Sequence, residues 1–403
     1  MSNASTASTV VIVGGGIGGL AAALAAAGQG HQVTVLERGT FTELGAGIQI
    51  AANGMAALDR LGIGAQVRAD AVAVDELRFH NGVSGQHVAS MPLGEPYRRR
   101  FGWPYLVVHR GELHRMLVDA CRSAPSVLLR PAAEVTGYQQ DGRGVRVGLG
   151  DGETLRCDAL VGADGIRSVV REQLVGDGAP KVAGITVYRS VIPMDQVPAD
   201  LRSNSVCWWA GPCCHLVHYP IAGGTHLNLA PSSENGATTA FSSVPVDDAR
   251  VREEFAALGG TAQRLVALGR DWKAWALLDR DPVDVWTDNR VVLLGDAAHP
   301  MLHYVAQGAC QALEDAVVLG EALAESEDLP RAFAGYNAAR RRRTAAVQRL
   351  SRESIRLWHC AGADARRRDE AMAGMSDQDM YDYVGWMHRA RGVGGRAVDA
   401  DVA

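Results

Sequence analysis

The chain has 403 residues, 47% of them apolar and 21% charged, and a formal charge of −5. That length holds one large domain or two intimate ones with ample core, and the composition is that of an ordinary soluble globular protein. The weakly acidic balance removes any electrostatic reason to expect nucleic acid or an anionic membrane as a partner.

The stretch TVVIVGGGIGGLAAALAAAGQGHQVTVLERG opens the chain's first firm signal. A β-branched run ends at Val13, Gly14, Gly16 and Gly19 fit GxGxxG, Leu20 to Ala27 reads as helix, and Gln32 to Leu36 reads as a second strand leading into Glu37 and Arg38. The apolar run from Val10 is long enough for a membrane span, but five glycines between Gly14 and Gly19 make it a turn. Glycines let the backbone approach a pyrophosphate, whose charge is favoured at a helix N-terminus. Glu37 can accept hydrogen bonds from a ribose diol. A bare GxGxxG is weak evidence, but between strand and helix, with an acid ending the next strand, it points to a dinucleotide.

Next, GAGIQIAANGMAALDRLGI, with Gln49, reads as a loop and helix, and HRGELH at 109–114 contains Arg110. The basic runs Arg98 to Arg100 and Arg340 to Arg343 read as solvated or helix-terminal faces. CDALVGADGIRSVVR is a buried strand ending in Gly162-Ala163-Asp164-Gly165, and RVVLLGDAAHPM is another, Val291 to Leu294, ending in Gly295-Asp296. Either junction alone is a capped turn or a binding loop. Three of them in one chain favour binding, because ligands sit at strand C-termini in doubly wound sheets.

Between the last two junctions, GITVYRSVIP, HLVHYP and THLNLAP alternate like antiparallel strands with one face toward a ligand. The cluster GPCCHLVHYP invites a metal reading, but adjacent Cys213 and Cys214 point to opposite faces of an extended segment and no second cluster completes a site. No metal is expected. A strand here puts His215, Val217 and Tyr219 on one face and Leu216 and His218 on the other. The His–Tyr pair is then either a hydrogen-bonded pair of core polar residues or a bracket for the substituents of one aromatic ring. After the GD loop, QGACQALEDAVVLGEAL is a helix whose Gln311, Glu314 and Asp315 read as a solvated or capping face. The tail from about 346 reads as helical. Seven cysteines, odd in number and never CxxC, with no charged-apolar-small leader, lead to the expectation of a reduced cytoplasmic protein.

The glycine fingerprint, GADGIRS and LLGDAAHP, in that order over nearly the whole chain, resemble the three motifs of the single-component (group A) flavoprotein aromatic hydroxylases. The resemblance implies an α/β fold: a Rossmann-like FAD-binding domain of the p-hydroxybenzoate hydroxylase type, an interleaved antiparallel-sheet substrate domain and a helical C-terminal tail. The FAD-binding part is expected over 1–80, 105–180 and 285–345, the substrate sheet over 81–104 and 182–280, and the tail over 346–403. The resemblance places Asp296, after Gly295, at the ribityl chain, Asp164 in a segment tied to FAD and nicotinamide binding, and Arg110 at the flavin. Gln49 joins this cofactor set, and the helix from Gly308 turns its positive end to the flavin pyrimidine.

GPCCHLVHYPIAGG, GAGIQI and LWHCAGADARRR look most similar to the 3-hydroxybenzoate 6-hydroxylase subgroup, in which the His and Tyr positions line the substrate pocket. This chain departs from it at His303, where the subgroup carries glutamine. The chemistry implied is FAD-dependent hydroxylation of a phenolic aromatic acid with NADH (or NADPH) and O2, para to the hydroxyl. His215 is then the base for the phenol, with Tyr219 and His303 orienting the ring or its carboxylate. Salicylate-type and 6-hydroxynicotinate-type hydroxylases are the alternatives, and a flavin-dependent reductase or dehydrogenase, or a non-catalytic nucleotide-binding module, those of another class. The expected partners are the small aromatic hydroxy acid and O2, without nucleic acid or membrane, a homodimer being left open.

Overall fold

The computed structural model describes residues 7–42 and 45–390; positions 391–403 of the expected tail and the first six residues lie outside them. The unalternating apolar runs form a sheet covered on both faces, as such runs require. Its strand order is Thr287–Asp288, Val291–Leu293, Ala159–Gly162, Thr9–Val13, Gln32–Leu36 and Val127–Arg130. All neighbours are parallel except the edge strand Thr287–Asp288. Helix Ile17–Gly28 packs between this sheet and helix Gly308–Glu325.

The alternating stretches form a second sheet of eight strands. Its order is Val244–Pro245, Lys273–Asp279, Lys181–Pro193, His226–Ala237, Cys214–Ile221, Ser205–Gly211, Glu76–Asn81 and His87–Pro92. It is antiparallel except where Ser205–Gly211 meets Glu76–Asn81. Strand Cys214–Ile221 is buried on both faces because each face has its own core. Val217, Tyr219 and Ile221 join the main core, while Cys214 and Leu216 join a second one with Trp209 and Trp272. The period-2 separation of His215 from His218 is therefore realised.

Helix Leu329–His359 touches strands of both sheets and covers helix Gly308–Glu325. That cover overturns two readings of charge. Gln311, Glu314 and Asp315 are buried rather than solvated, and so is Arg340 at 2% exposure. Arg340 Nε lies 2.6 Å from Asp315 Oδ1 and its Nη1 2.5 Å from Glu314, which Arg343 also pairs at 2.8 Å. The other Asp315 oxygen accepts from Gly295 N at 3.0 Å and lies 2.5 Å from His299 Nε2. The cluster thus fastens the GD loop. Among the described residues no helix is long and apolar enough to cross a membrane.

Candidate active site

Three loops meet at the carboxyl ends of the parallel strands. Ala163 N donates to Val13 O at 2.8 Å and Leu294 N to Gly162 O at 2.9 Å. Gly14 has φ +105°, and a Cβ there would lie 2.3 Å from Ala163 O, so only glycine lets the fingerprint and DG loops close on each other. A Cβ on Gly16, by contrast, would meet nothing within 4 Å, which leaves the N-terminus of helix Ile17–Gly28 open to a pyrophosphate.

Glu37 accepts from Gly15 N at 2.8 Å and from Gly39 N at 2.9 Å. It fixes the fingerprint loop and keeps lone pairs for a ribose hydroxyl. Arg38 is exposed at the rim of the same groove. Asp164 engages both oxygens at the start of helix Val169–Val175, with Ser168 Oγ at 2.5 Å and Val169 N at 2.8 Å, and it is Gly165 that lines the cavity where the three loops meet. Burial raises the Asp164 pKa against these bonds. Gly295 turns with φ +60° and presents Asp296 to the cavity, where its carboxylate makes no hydrogen bond to any described residue. Enclosure raises its pKa, opposed by His299 and Arg110. A carboxylate left exposed to the cavity by an otherwise buried loop, beside Arg110 and a glycine cradle, fits the ribityl end of a flavin dinucleotide.

That cavity holds about 370 Å³. Gly308, Ala309 and Ala312 at the start of helix Gly308–Glu325 form one wall, and strand Gly47–Ile50 and the large sheet form others. Tyr219 and Val217 reach it from the sheet. Gln49 Oε1 accepts from Tyr105 Oη at 2.5 Å, and Gln49 lines the cavity beside Tyr219. Tyr105 thus holds Gln49 on the sheet side of the cavity. Burial pushes the Tyr219 hydroxyl up to about 12, with Arg189 and Gln49 opposing, so it is a neutral donor at ordinary pH.

His303 also lines the cavity, with Nε2 3.2 Å from Ser232 Oγ and Nδ1 buried without a partner. Burial, then Arg189 and His359, push its pKa down to about 3. His215 lies one side chain behind the lining. Its ring is 5.7 Å from those of His303 and Trp208 and 5.2 Å from Tyr304. Its Nδ1 is 2.7 Å from His359 Nε2, and its Nε2 is buried and unpartnered. Burial, then His359 and His303, hold it well below the usual histidine range. His218 faces the opposite core, stacked on Trp209.

Sequence reasoning missed three participants. Arg189 lines the cavity from strand Lys181–Pro193 and has no carboxylate in ion-pair reach among the described residues. Its signal was available: it occupies the same strand face as Val187 and Val191, where an apolar side chain is expected. Burial lowers its pKa, Tyr219 opposing, but a guanidinium stays charged at working pH. Of the two residues that continue the hydrogen-bond chain behind His215, His359 lies in the LWHCAG stretch of the resemblance without a role read for it, and Glu234 carries no local signal.

The sequence family described as an FAD binding domain matches residues 7–354. The 3-hydroxybenzoate 6-hydroxylase 1 of Aquipseudomonas alcaligenes is 44% identical, over 94% of this chain and 97% of its own. The 3-hydroxybenzoate 6-hydroxylase of Polaromonas naphthalenivorans (strain CJ2) is 40% identical, over 94% and 95%. Klebsiella pneumoniae HpxO, solved with FAD and uric acid, shares the fold with a TM-score of 0.82 at 24% identity, covering 93% of this chain and 95% of that one.

Proposed function

This chain belongs to the FAD-binding family of flavoprotein hydroxylases and is an FAD-dependent aromatic monooxygenase, and within that class we propose that it hydroxylates 3-hydroxybenzoate para to the hydroxyl, giving 2,5-dihydroxybenzoate. One observation carries the substrate reading. Among the described residues the cavity presents a guanidinium with no carboxylate partner, Arg189, and a bare imidazole nitrogen on His303, with that of His215 behind the lining. A ring bearing one carboxylate and one phenol answers both needs.

When bound, FAD supplies electron transfer from NAD(P)H and the activation of O2. The chain's own residues bind, orient and move protons. Gly14, Gly16 and Gly19 shape the pyrophosphate turn, Glu37 and Arg38 take the adenosine end, and Asp296, Gly295 and Arg110 take the ribityl end. Arg189 and Tyr219 hold the substrate carboxylate and fix the ring. The phenol seats between Trp208 and His303 of the lining, so that its hydroxyl reaches His215 Nε2 behind them; His215 Nε2 accepts the phenol proton, which raises electron density at the para carbon, and His303 orients the hydroxyl. Trp208, Val217 and Leu302 keep the chamber apolar and exclude water. The seven cysteines, none in a disulfide, suit a reducing cytoplasm.

The test is NADH consumption with mass-spectrometric product identification over a panel of hydroxybenzoates and hydroxynicotinates. Gentisate from 3-hydroxybenzoate as the best-coupled reaction supports the reading. Decarboxylated catechol from salicylate, or NADH oxidation without any oxygenated product, overturns it. His303 favours a second reading, a hydroxypyridine carboxylate such as 6-hydroxynicotinate, because a second neutral imidazole suits a ring nitrogen. The same panel separates the two.

A further inference from the structure

Behind His215 the structure contains a hydrogen-bonded row that the reaction as described does not use. His215 Nδ1 lies 2.7 Å from His359 Nε2, and His359 Nδ1 is hydrogen-bonded to Glu234. The row is graded in exposure: His215 is fully buried, the His359 side chain is 2% exposed and the Glu234 side chain 37%. Its inner end is an unpartnered nitrogen beside the cavity lining and its outer end is a carboxylate in water. From these contacts we infer that Glu234 and His359 form a proton relay that connects the phenol of the bound substrate to solvent through His215. The inference rests on His215 as the group that receives the phenol proton.

The protonation states follow from the partners. A carboxylate only accepts, so Nδ1 of His359 carries the hydrogen and its Nε2 is an acceptor. Nδ1–H of His215 therefore donates to His359, and the lone pair of His215 Nε2 is left free. The row sets the tautomer a base requires, by the logic through which a carboxylate orients the histidine of a hydrolase triad. When Nε2 takes the phenol proton, the O–H bond breaks and an N–H bond forms. His215 passes its Nδ1 proton to His359 Nε2, and His359 passes its Nδ1 proton to Glu234. One proton leaves the ring, one arrives at the surface carboxylate, and no electrons are transferred. Reprotonation of the product phenolate runs the row backwards and restores the starting tautomers.

Two features support this direction of travel. His359 closes the 31-residue helix Leu329–His359, where the helix dipole favours the transient imidazolium. Burial lowers the pKa of His359, but Glu234 opposes it, so positive charge is better tolerated at His359 than at His215, where the neighbouring His359 and His303 lower the pKa further. A base as enclosed as His215 holds a proton poorly alone. Delivering it onward removes that penalty.

Glu234→Gln keeps an acceptor for His359 Nδ1 but cannot take up the proton, and at an exposed position it preserves the fold. In the FAD-loaded protein, the expected result is unchanged flavin content and unchanged substrate Kd. The ionised fraction of bound 3-hydroxybenzoate, read from the ultraviolet difference spectrum, should fall. The hydroxylation rate should fall about 10²-fold, recovering in part as formate or imidazole buffer is raised. His359→Gln should reproduce the loss without buffer rescue, since the break is then internal. The relay is overturned if Glu234→Gln shows the wild-type ionised fraction and rate, or if either variant loses substrate or flavin affinity in step with activity. A wild-type protein that ionises and hydroxylates no hydroxybenzoate would instead refute the substrate reading.

Discussion

Replacing Arg189 by Met separates a ligand-binding guanidinium from a structural one. The side chain lines the cavity near Tyr219, with Arg110 adding repulsion and no carboxylate paired to it among the described residues. Hydrogen bonds to charged groups contribute about 1.5–3 kcal/mol when a partner is present, so its loss should raise the Kd for 3-hydroxybenzoate about 10- to 100-fold at 1.4 kcal/mol per decade. A neutral ligand of the same shape, 3-hydroxybenzamide, lacks the anion and should lose little. The comparison of two ligands on two proteins isolates the carboxylate–guanidinium term as a double-mutant cycle does. Binding is read from the perturbation of the flavin spectrum. The ligand-free variant should be no less stable than the wild type, because an enclosed unpaired charge is a cost and an unbranched thioether fills a similar volume. Equal loss of affinity for acid and amide, or a marked drop in Tm, would refute the assignment.

Asp296→Ala should reduce FAD retention at limiting cofactor with little change in apoprotein Tm, since its carboxylate bonds to no described residue; full flavin occupancy would count against the ribityl role. His215→Ala should slow hydroxylation by about 10²–10⁴-fold while sparing substrate-free flavin reduction, with hydrogen peroxide rising relative to product. His218→Ala, on the other strand face, should do neither. Arg340→Met should destabilise the fold by about 3 kcal/mol, because buried Asp315 then keeps only His299 and buried Glu314 only Arg343 against its charge. Burial alone would raise Asp315, but His299 and Arg340 outweigh it and hold the carboxyl at about 2. The stability this pair adds is therefore complete above the unfolded carboxyl pKa near 4 and is lost as pH falls toward 2. Thermal melts across that window should slope steeply in the wild type and less so in the variant.

What was legible in the sequence was what depends on neighbours in the chain. Gly14, Gly16 and Gly295 declare themselves because the turns they make are local, and each follows a strand whose apolar run is visible. The faces of His215, Tyr219 and His218 followed from period 2, once the stretch was taken as a strand. Arg340 misled because a run of four arginines looks solvated, and whether a helix face is covered depends on which helix crosses it. Here Leu329–His359 lies over Gly308–Glu325, and the apparent surface charges become one buried ion-pair cluster under the GD loop. Arg189 was readable in principle, as a charge in an apolar register.

The row behind His215 shows the limit of such reading. Its members are separated by 144 residues at one bond and 125 at the other, and each is ordinary in its own surroundings. His359 is the last residue of a long helix, and Glu234 sits in a strand where burial gives way to exposure. What brings them together is the packing of that helix end onto the turn before strand Cys214–Ile221, where Cys213 N donates to His359 O at 3.0 Å. The backbone contact that ends the helix thus also sets the second imidazole in line with the first. Shortening the helix by one residue would move His359 by about 1.5 Å along the axis and about 100° around it, breaking the row while leaving both sheets and every motif loop intact. The site's proton path is therefore specified by the length of Leu329–His359, a quantity no motif encodes.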